Sequence, residues 1–134
     1  MLGDLIYEGK NKTIYSRVLN AEENKVEHTF TEEGKFKDID ITLVATFWEV
    51  PVGKDVVYGE GQHIITTEDG GETAAFRGYG IGRSNGEGGV NFCGSVFYKT
   101  SSKGKLAFLN NMVGIFEADV DKEGNGIVKI WEWK

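Results

Sequence analysis

The chain has 134 residues, 40% of them hydrophobic, and a formal net charge of −6, which suits one globular domain with a sizeable core and lacks the basic stripe that a nucleic-acid partner requires. No window approaches the roughly 18 apolar residues of a membrane span. The N-terminal MLGDLIYEGK shows no basic and apolar leader, and Cys93 stands alone, so the expected location is the cytoplasm, with no internal disulfide.

In chain order, strand candidates run over roughly 9–19, 25–32, 36–50, 55–67, 72–83, 90–101, 111–121 and 126–133, each rich in Val, Ile, Thr, Tyr or Phe. Turn signals separate them at Glu32-Glu33-Gly34, Asp69-Gly70-Gly71, Asn85-Gly86, Gly88-Gly89 and Glu123-Gly124-Asn125-Gly126, pairs that supply the positive φ of tight hairpins. In DIDITLVATFWEV, Ile39, Ile41, Leu43, Ala45 and Phe47 share one face, while Asp38, Asp40, Thr42 and Thr46 lie opposite with Val44 and Trp48. Pro51 is expected to end this strand, because it cannot donate to the ladder.

The next run contains Tyr58-Gly-Glu-Gly-Gln-His63. Tyr58, Glu60 and Gln62 share a face with Val56 and Ile64, and His63 shares the other with Gly59 and Gly61. If the first face points inward, Glu60 becomes a carboxylate in an apolar barrel, with a raised pKa and the role of a general base or hydrogen-bond anchor. If not, it is solvated or paired with Arg77 or Arg83 on a neighbouring strand.

The following strand, RGYGIGR, puts glycine at every second position. Gly78, Gly80 and Gly82 fall on one face with Phe76 and Ala74. A bare strip of this kind gives barrel curvature, with large rings such as Phe47 or Phe116 filling the space opposite, or it floors a ligand cavity. G-x-G-x-G followed by another strand is not a phosphate-binding loop.

Cys93 lies beside Phe92 and Gly94 without a paired base and reads as a small buried filler. His28 and His63 have no ligand cluster at suitable spacing, so no metal or other cofactor is expected. Serines occur without a G-x-S-x-G elbow. In SSKGKLAFLNN, Leu106 and Leu109 at i, i+3 predict a short helix near 102–109, lying across a barrel mouth, although Gly104 opposes it. The Met112–Val120 run is expected to bury Met112, Gly114, Phe116, Ala118 and Val120, with Glu117, Asp119 and Asp121 in water. Trp131 and Trp133 then close the barrel or form a subunit contact.

Eight consecutive hairpin-linked strands predict an all-β fold, an antiparallel up-and-down barrel forming a single domain over 1–134. The hairpin at Thr67–Gly70, GRSNGEGG, GSVFYKTSS and the DKEGN…WEWK ending together resemble a family of small uncharacterised prokaryotic β-barrel proteins. The layout is similar to the calycin-like barrel of allene oxide cyclases. That likeness implies a homo-oligomer holding an apolar fatty-acid derivative, with no cyclase catalytic residue matching a position here. The lipocalin G-x-W signature and the two-helix lid of fatty-acid-binding proteins are absent.

Three functions are compatible with these residues. The first is binding of a small apolar or aromatic molecule by Tyr58, Glu60, Gln62, Phe76, Gly78, Gly80 and Phe116. The second is a cofactor-independent isomerase or cyclase using Glu60 with Tyr58 or Tyr79. The third is a structural oligomer with a filled barrel and an aromatic outer patch around Trp48 or Trp131.

Overall fold

The computed structural model describes residues 1–134. Eight antiparallel strands form one closed barrel: β1 (Leu2–Asn20), β2 (Lys25–Phe36), β3 (Ile39–Gly53), β4 (Val56–Thr67), β5 (Thr73–Ser84), β6 (Val90–Lys99), β7 (Val113–Val120) and β8 (Asn125–Trp133). Each strand pairs with its sequence neighbours, and β1 meets β8, with Tyr7 opposite Ile130 and Gly9 opposite Val128. Closure leaves no free sheet edge.

Side-chain alternation sets the inner face. On β3, Ile41, Leu43 and Ala45 are buried while Thr42, Val44 and Thr46 are exposed, as period 2 requires of a strand with one face on a core. Six hairpins turn on positive φ, at Asn24, Lys37, Asp55, Gly70, Gly86 with Gly88, and Gly124. The glycine turns are those the sequence signals marked, whereas Asn24, Lys37 and Asp55 carried no such signal. The expected turn at Glu32-Glu33-Gly34 lies inside β2, which runs on to a tight hairpin at Lys37. Pro51 lies within β3 opposite Val57, just before the irregularity at Pro51/Gly53, a strand end where the missing N–H does little harm.

The predicted helix shrinks to one 3-10 turn, Ala107–Leu109. Its approach is shaped by Glu72, whose carboxylate accepts the backbone N–H groups of Lys105 and Leu106, each at 3.0 Å, and the Ser102 hydroxyl. Three donors on one carboxylate hold these residues out of a helical ladder. The loop delivers Leu106 and Leu109, both 0% exposed, against the end of the barrel. There Tyr7, Phe36 and Tyr98 pack with ring centroids 4.5 and 5.8 Å apart. This end is plugged and holds most of the core. The other end, carrying the hairpins after β1, β3, β5 and β7, is open. No helix is long and apolar enough to cross a membrane.

Candidate functional site

A cavity of about 440 Å³ occupies the open half of the barrel. Its walls are aromatic: Phe30, Phe47, Phe76, Phe92 and Phe116, with Val96, Val128 and Ile130. It reaches the open end near Ser16, Gly88 and Lys122.

The glycines of β5 face this lumen and play two roles. A Cβ at Gly80 would lie 2.9 Å from Phe116 Cζ, and one at Gly82 would lie 2.6 Å from Phe92 Cε1. The rings of neighbouring strands therefore rest on bare backbone, which lets aromatic side chains tilt across the sheet without clashing. Gly78 differs. Its Cβ would meet Val96 Cγ1 at 3.5 Å and His63 Cε1 at 3.7 Å, ordinary contacts, so this glycine contributes open volume. Both readings of the glycine strip, ring packing and cavity floor, apply at different positions of one strand.

Phe76, Gly78, Gly80 and Phe116 accordingly lie together on the lumen wall. Tyr58, Glu60 and Gln62 occupy the opposite face of β4. Glu60 borders the lumen between Gly59 and Gly61, but its side chain turns outward and accepts the Tyr58 hydroxyl at 2.7 Å. Tyr58 packs edge-on to Trp48 at 5.8 Å, and Lys25 Nζ stands 4.1 Å above the Trp48 ring. Gln62 is exposed. The condition that made Glu60 a base inside an apolar barrel is therefore not met: the inner face of β4 is that of Gly59, Gly61 and His63, because Phe47 and Phe76 on the flanking strands need those small neighbours.

His63 stacks on Phe76, with centroids 3.8 Å apart and planes 11° from parallel. Its Nδ1 is buried without a hydrogen-bond partner in the protein. Desolvation lowers its pKa to about 3, against a weaker opposing pull from the Phe76 backbone, so the ring is neutral at physiological pH. The buried carboxyl of the barrel is Glu32, 5% exposed. It accepts the Tyr7 hydroxyl at 2.5 Å and Asn11 Nδ2 at 2.9 Å. Desolvation raises its pKa, while the two hydrogen bonds hold it down. Burial likewise raises the Tyr98 hydroxyl, which has no partner.

Nearer the mouth, three inward side chains from successive strands form a chain. Ser16 Oγ lies 2.6 Å from His28 Nδ1, and His28 Nε2 lies 2.9 Å from Glu49 Oε1. His28 also packs against Phe47, centroids 5.0 Å apart. Ser16 reaches this face through a β-bulge: the register passes from Thr13 opposite Phe30 to Tyr15 opposite Thr29, leaving Ile14 as the extra residue. Ile14 and Tyr15 are both exposed, and the alternation restarts with Ser16 inside. Strict period 2 from Thr13 would have put Ser16 outside. No group of three or more His, Cys, Asp or Glu side chains is arranged to hold a metal ion. Cys93, expected as a buried filler, is instead exposed on the outer wall, because Phe92 and Val96 take the lumen face of β6.

No family model matches this chain, and no curated protein matches it. Its fold is similar to two solved structures of bacterial proteins of unknown function. A conserved protein from Rhodopseudomonas palustris shares 11% identity with a TM-score of 0.79, over 98% of this chain and 97% of that one. A protein from Clostridium acetobutylicum shares 9% identity with a TM-score of 0.78, over 98% of both chains. At such identities the likeness is one of fold, and neither protein is described as a cyclase.

Proposed function

We propose that this protein binds a small apolar or aromatic molecule inside the open half of its barrel. The observation that carries the reading is a lumen of about 440 Å³ walled by five phenylalanines. That volume falls within the range of about 300–1,000 Å³ typical of small-molecule sites. A barrel filled by its own side chains would leave no such space.

The polar groups set what fits. His63 offers one unpartnered nitrogen on a neutral ring, and Glu32 keeps its oxygens engaged with Tyr7 and Asn11. A flat, uncharged molecule with a single hydrogen-bonding group suits the phenylalanine wall better than an ion, whose desolvation those rings do not offset. Of the readings made from sequence, this one retains Phe76, Gly78, Gly80 and Phe116 as lining residues.

The test is fluorescence titration with N-phenyl-1-naphthylamine, a neutral aromatic dye. Saturable enhancement is expected, lost in Gly78→Leu, whose Cβ would make only ordinary contacts, the nearest at 3.5 Å, so that its side chain enters the lumen. Absence of saturable binding, or unchanged binding in Gly78→Leu, would refute the reading. A hundredfold excess of dye over its Kd should also stabilise the fold by about 2.7 kcal/mol.

A further inference from the structure

The chain Ser16–His28–Glu49 is a hydroxyl, an imidazole and a carboxylate in hydrogen-bonding sequence, at 2.6 and 2.9 Å. A carboxylate has no proton to donate, so its contact with His28 places the N–H on Nε2. Nδ1 is then left with a lone pair, which accepts the Ser16 hydroxyl. That is the tautomer a general base needs, fixed by a third group, the arrangement that activates serine in nucleophilic catalysis. The ring is reversed relative to the familiar protease order, Nδ1 facing serine, but either nitrogen serves when the other is held as N–H.

Position matters as much as geometry. Ser16 is exposed at the lumen mouth, while the His28 and Glu49 side chains are 22% and 24% exposed. Water and a reacting group can reach the hydroxyl, and the pair behind it is sheltered. All three residues border the aromatic cavity. A molecule with its apolar part inside would present its outer end to Ser16. The β-bulge at Ile14 is the local irregularity that turns Ser16 toward His28.

We infer that Ser16, His28 and Glu49 form a nucleophilic site that cleaves esters of apolar or aromatic acids. For the substrate's apolar part, the inference rests on the lumen-binding reading. Ser16 Oγ forms a bond to the ester carbonyl carbon as its proton passes to His28 Nδ1. Collapse of the tetrahedral adduct breaks the carbon–oxygen bond to the alcohol, which leaves with that proton. Water then attacks the acyl-serine, again giving its proton to Nδ1, and the proton returns to Ser16 Oγ as the acid departs. The balance is ester plus water to acid plus alcohol. Ser16 and His28 are the catalytic residues; Glu49 is a positioning residue.

General base catalysis by His28 sets the scale, about 10²–10⁴-fold over the uncatalysed reaction.

The experiment is labelling of the whole protein with a small alkyl fluorophosphonate, in which serine displaces fluoride from phosphorus, followed by peptide mass spectrometry. Hydrolysis of p-nitrophenyl benzoate is measured alongside. The expected result is phosphonylation at Ser16, with ester turnover falling at least tenfold in Ser16→Ala and in His28→Gln. Glu49→Gln should lower kcat while leaving KM unchanged, a split that loss of packing would not produce. Labelling elsewhere or nowhere, or undiminished turnover in Ser16→Ala, would overturn the site. Failed labelling with the naphthylamine dye still bound refutes this inference alone. Labelling of Ser16 without dye binding refutes the lumen reading and leaves the nucleophile standing.

Discussion

Glu32 and the Nδ1 of His63 are ionisable groups of opposite kind buried on the inner wall, and desolvation acts on each against its charged form. For Glu32 the folded pKa is raised above 4.5. The folded protein then keeps a proton that the unfolded chain releases, so this group's stabilisation is complete below about 4.5 and is lost as pH rises through the folded value. For His63 the folded pKa is lowered from 6.5 to about 3. Its contribution is complete above about 6.5 and is lost as pH falls toward 3, on the order of 2 kcal/mol between pH 6.5 and 4.5. Urea unfolding of the wild type, Glu32→Gln and His63→Phe from pH 4.5 to 8 separates the two. Glu32→Gln should gain on the wild type as pH rises, and His63→Phe should gain on it as pH falls. Parallel curves would show that burial does not govern either group. Glu32→Ala is a different perturbation. It strands the buried Tyr7 hydroxyl and should cost about 1–3 kcal/mol at any pH where the protein is folded.

At the scale of the strand, the glycines of β5 and β6 divide by what surrounds them. A Cβ at Gly94 would collide with the Tyr79 carbonyl oxygen and would lie 2.6 Å from Gly80 Cα. These are backbone atoms that cannot rotate away. Gly94→Ala should therefore destabilise by at least about 2 kcal/mol, whereas Gly78→Ala should stay within about 1 kcal/mol of the wild type. Equal effects in thermal melts would contradict the strand geometry. The same contrast explains how much was legible beforehand. Period-2 patterning in β3 and β5 located the strands and put Phe76, Gly78 and Gly80 on one face. The facing of β4 was not legible, because Tyr58, Glu60 and Gln62 alternate with Gly59, Gly61 and His63, and neither set is plainly apolar. What decides it is the bulk of Phe47 and Phe76 across the ladder, a tertiary fact. Ser16 was hidden for another reason: the bulge at Ile14 breaks the period by one residue, and nothing in Thr13-Ile14-Tyr15 marks it. Turns on Lys37 and Asp55 escaped because residues other than glycine seldom adopt positive φ.

For the whole molecule, the barrel becomes a barrel only when β1 meets β8, and those strands come from opposite ends of the chain. Every other pairing joins strands adjacent in sequence, most of them through tight hairpins. Loop closure over nearly the full chain carries the largest entropic cost of any pairing, rising by about 0.6 kcal/mol for each doubling of loop length. The seam should therefore form late, after the sheet spanning β2 to β5 has assembled. Ile130 tests this. It is 2% exposed, stands opposite Tyr7 on β1 and Phe116 on β7, and its Cγ2 fills the space above Gly114. Ile130→Ala should cost about 2–5 kcal/mol of stability. With a late seam, most of that cost appears as faster unfolding, and the folding rate changes little, giving a φ-value below about 0.3. Leu43→Ala, at the centre of β3 and 5% exposed, should slow folding by a larger share of its own cost. Stopped-flow chevrons of the two variants compare them directly. If Ile130→Ala slows folding as fully as it lowers stability, the chain ends meet early and the sheet grows outward from its seam.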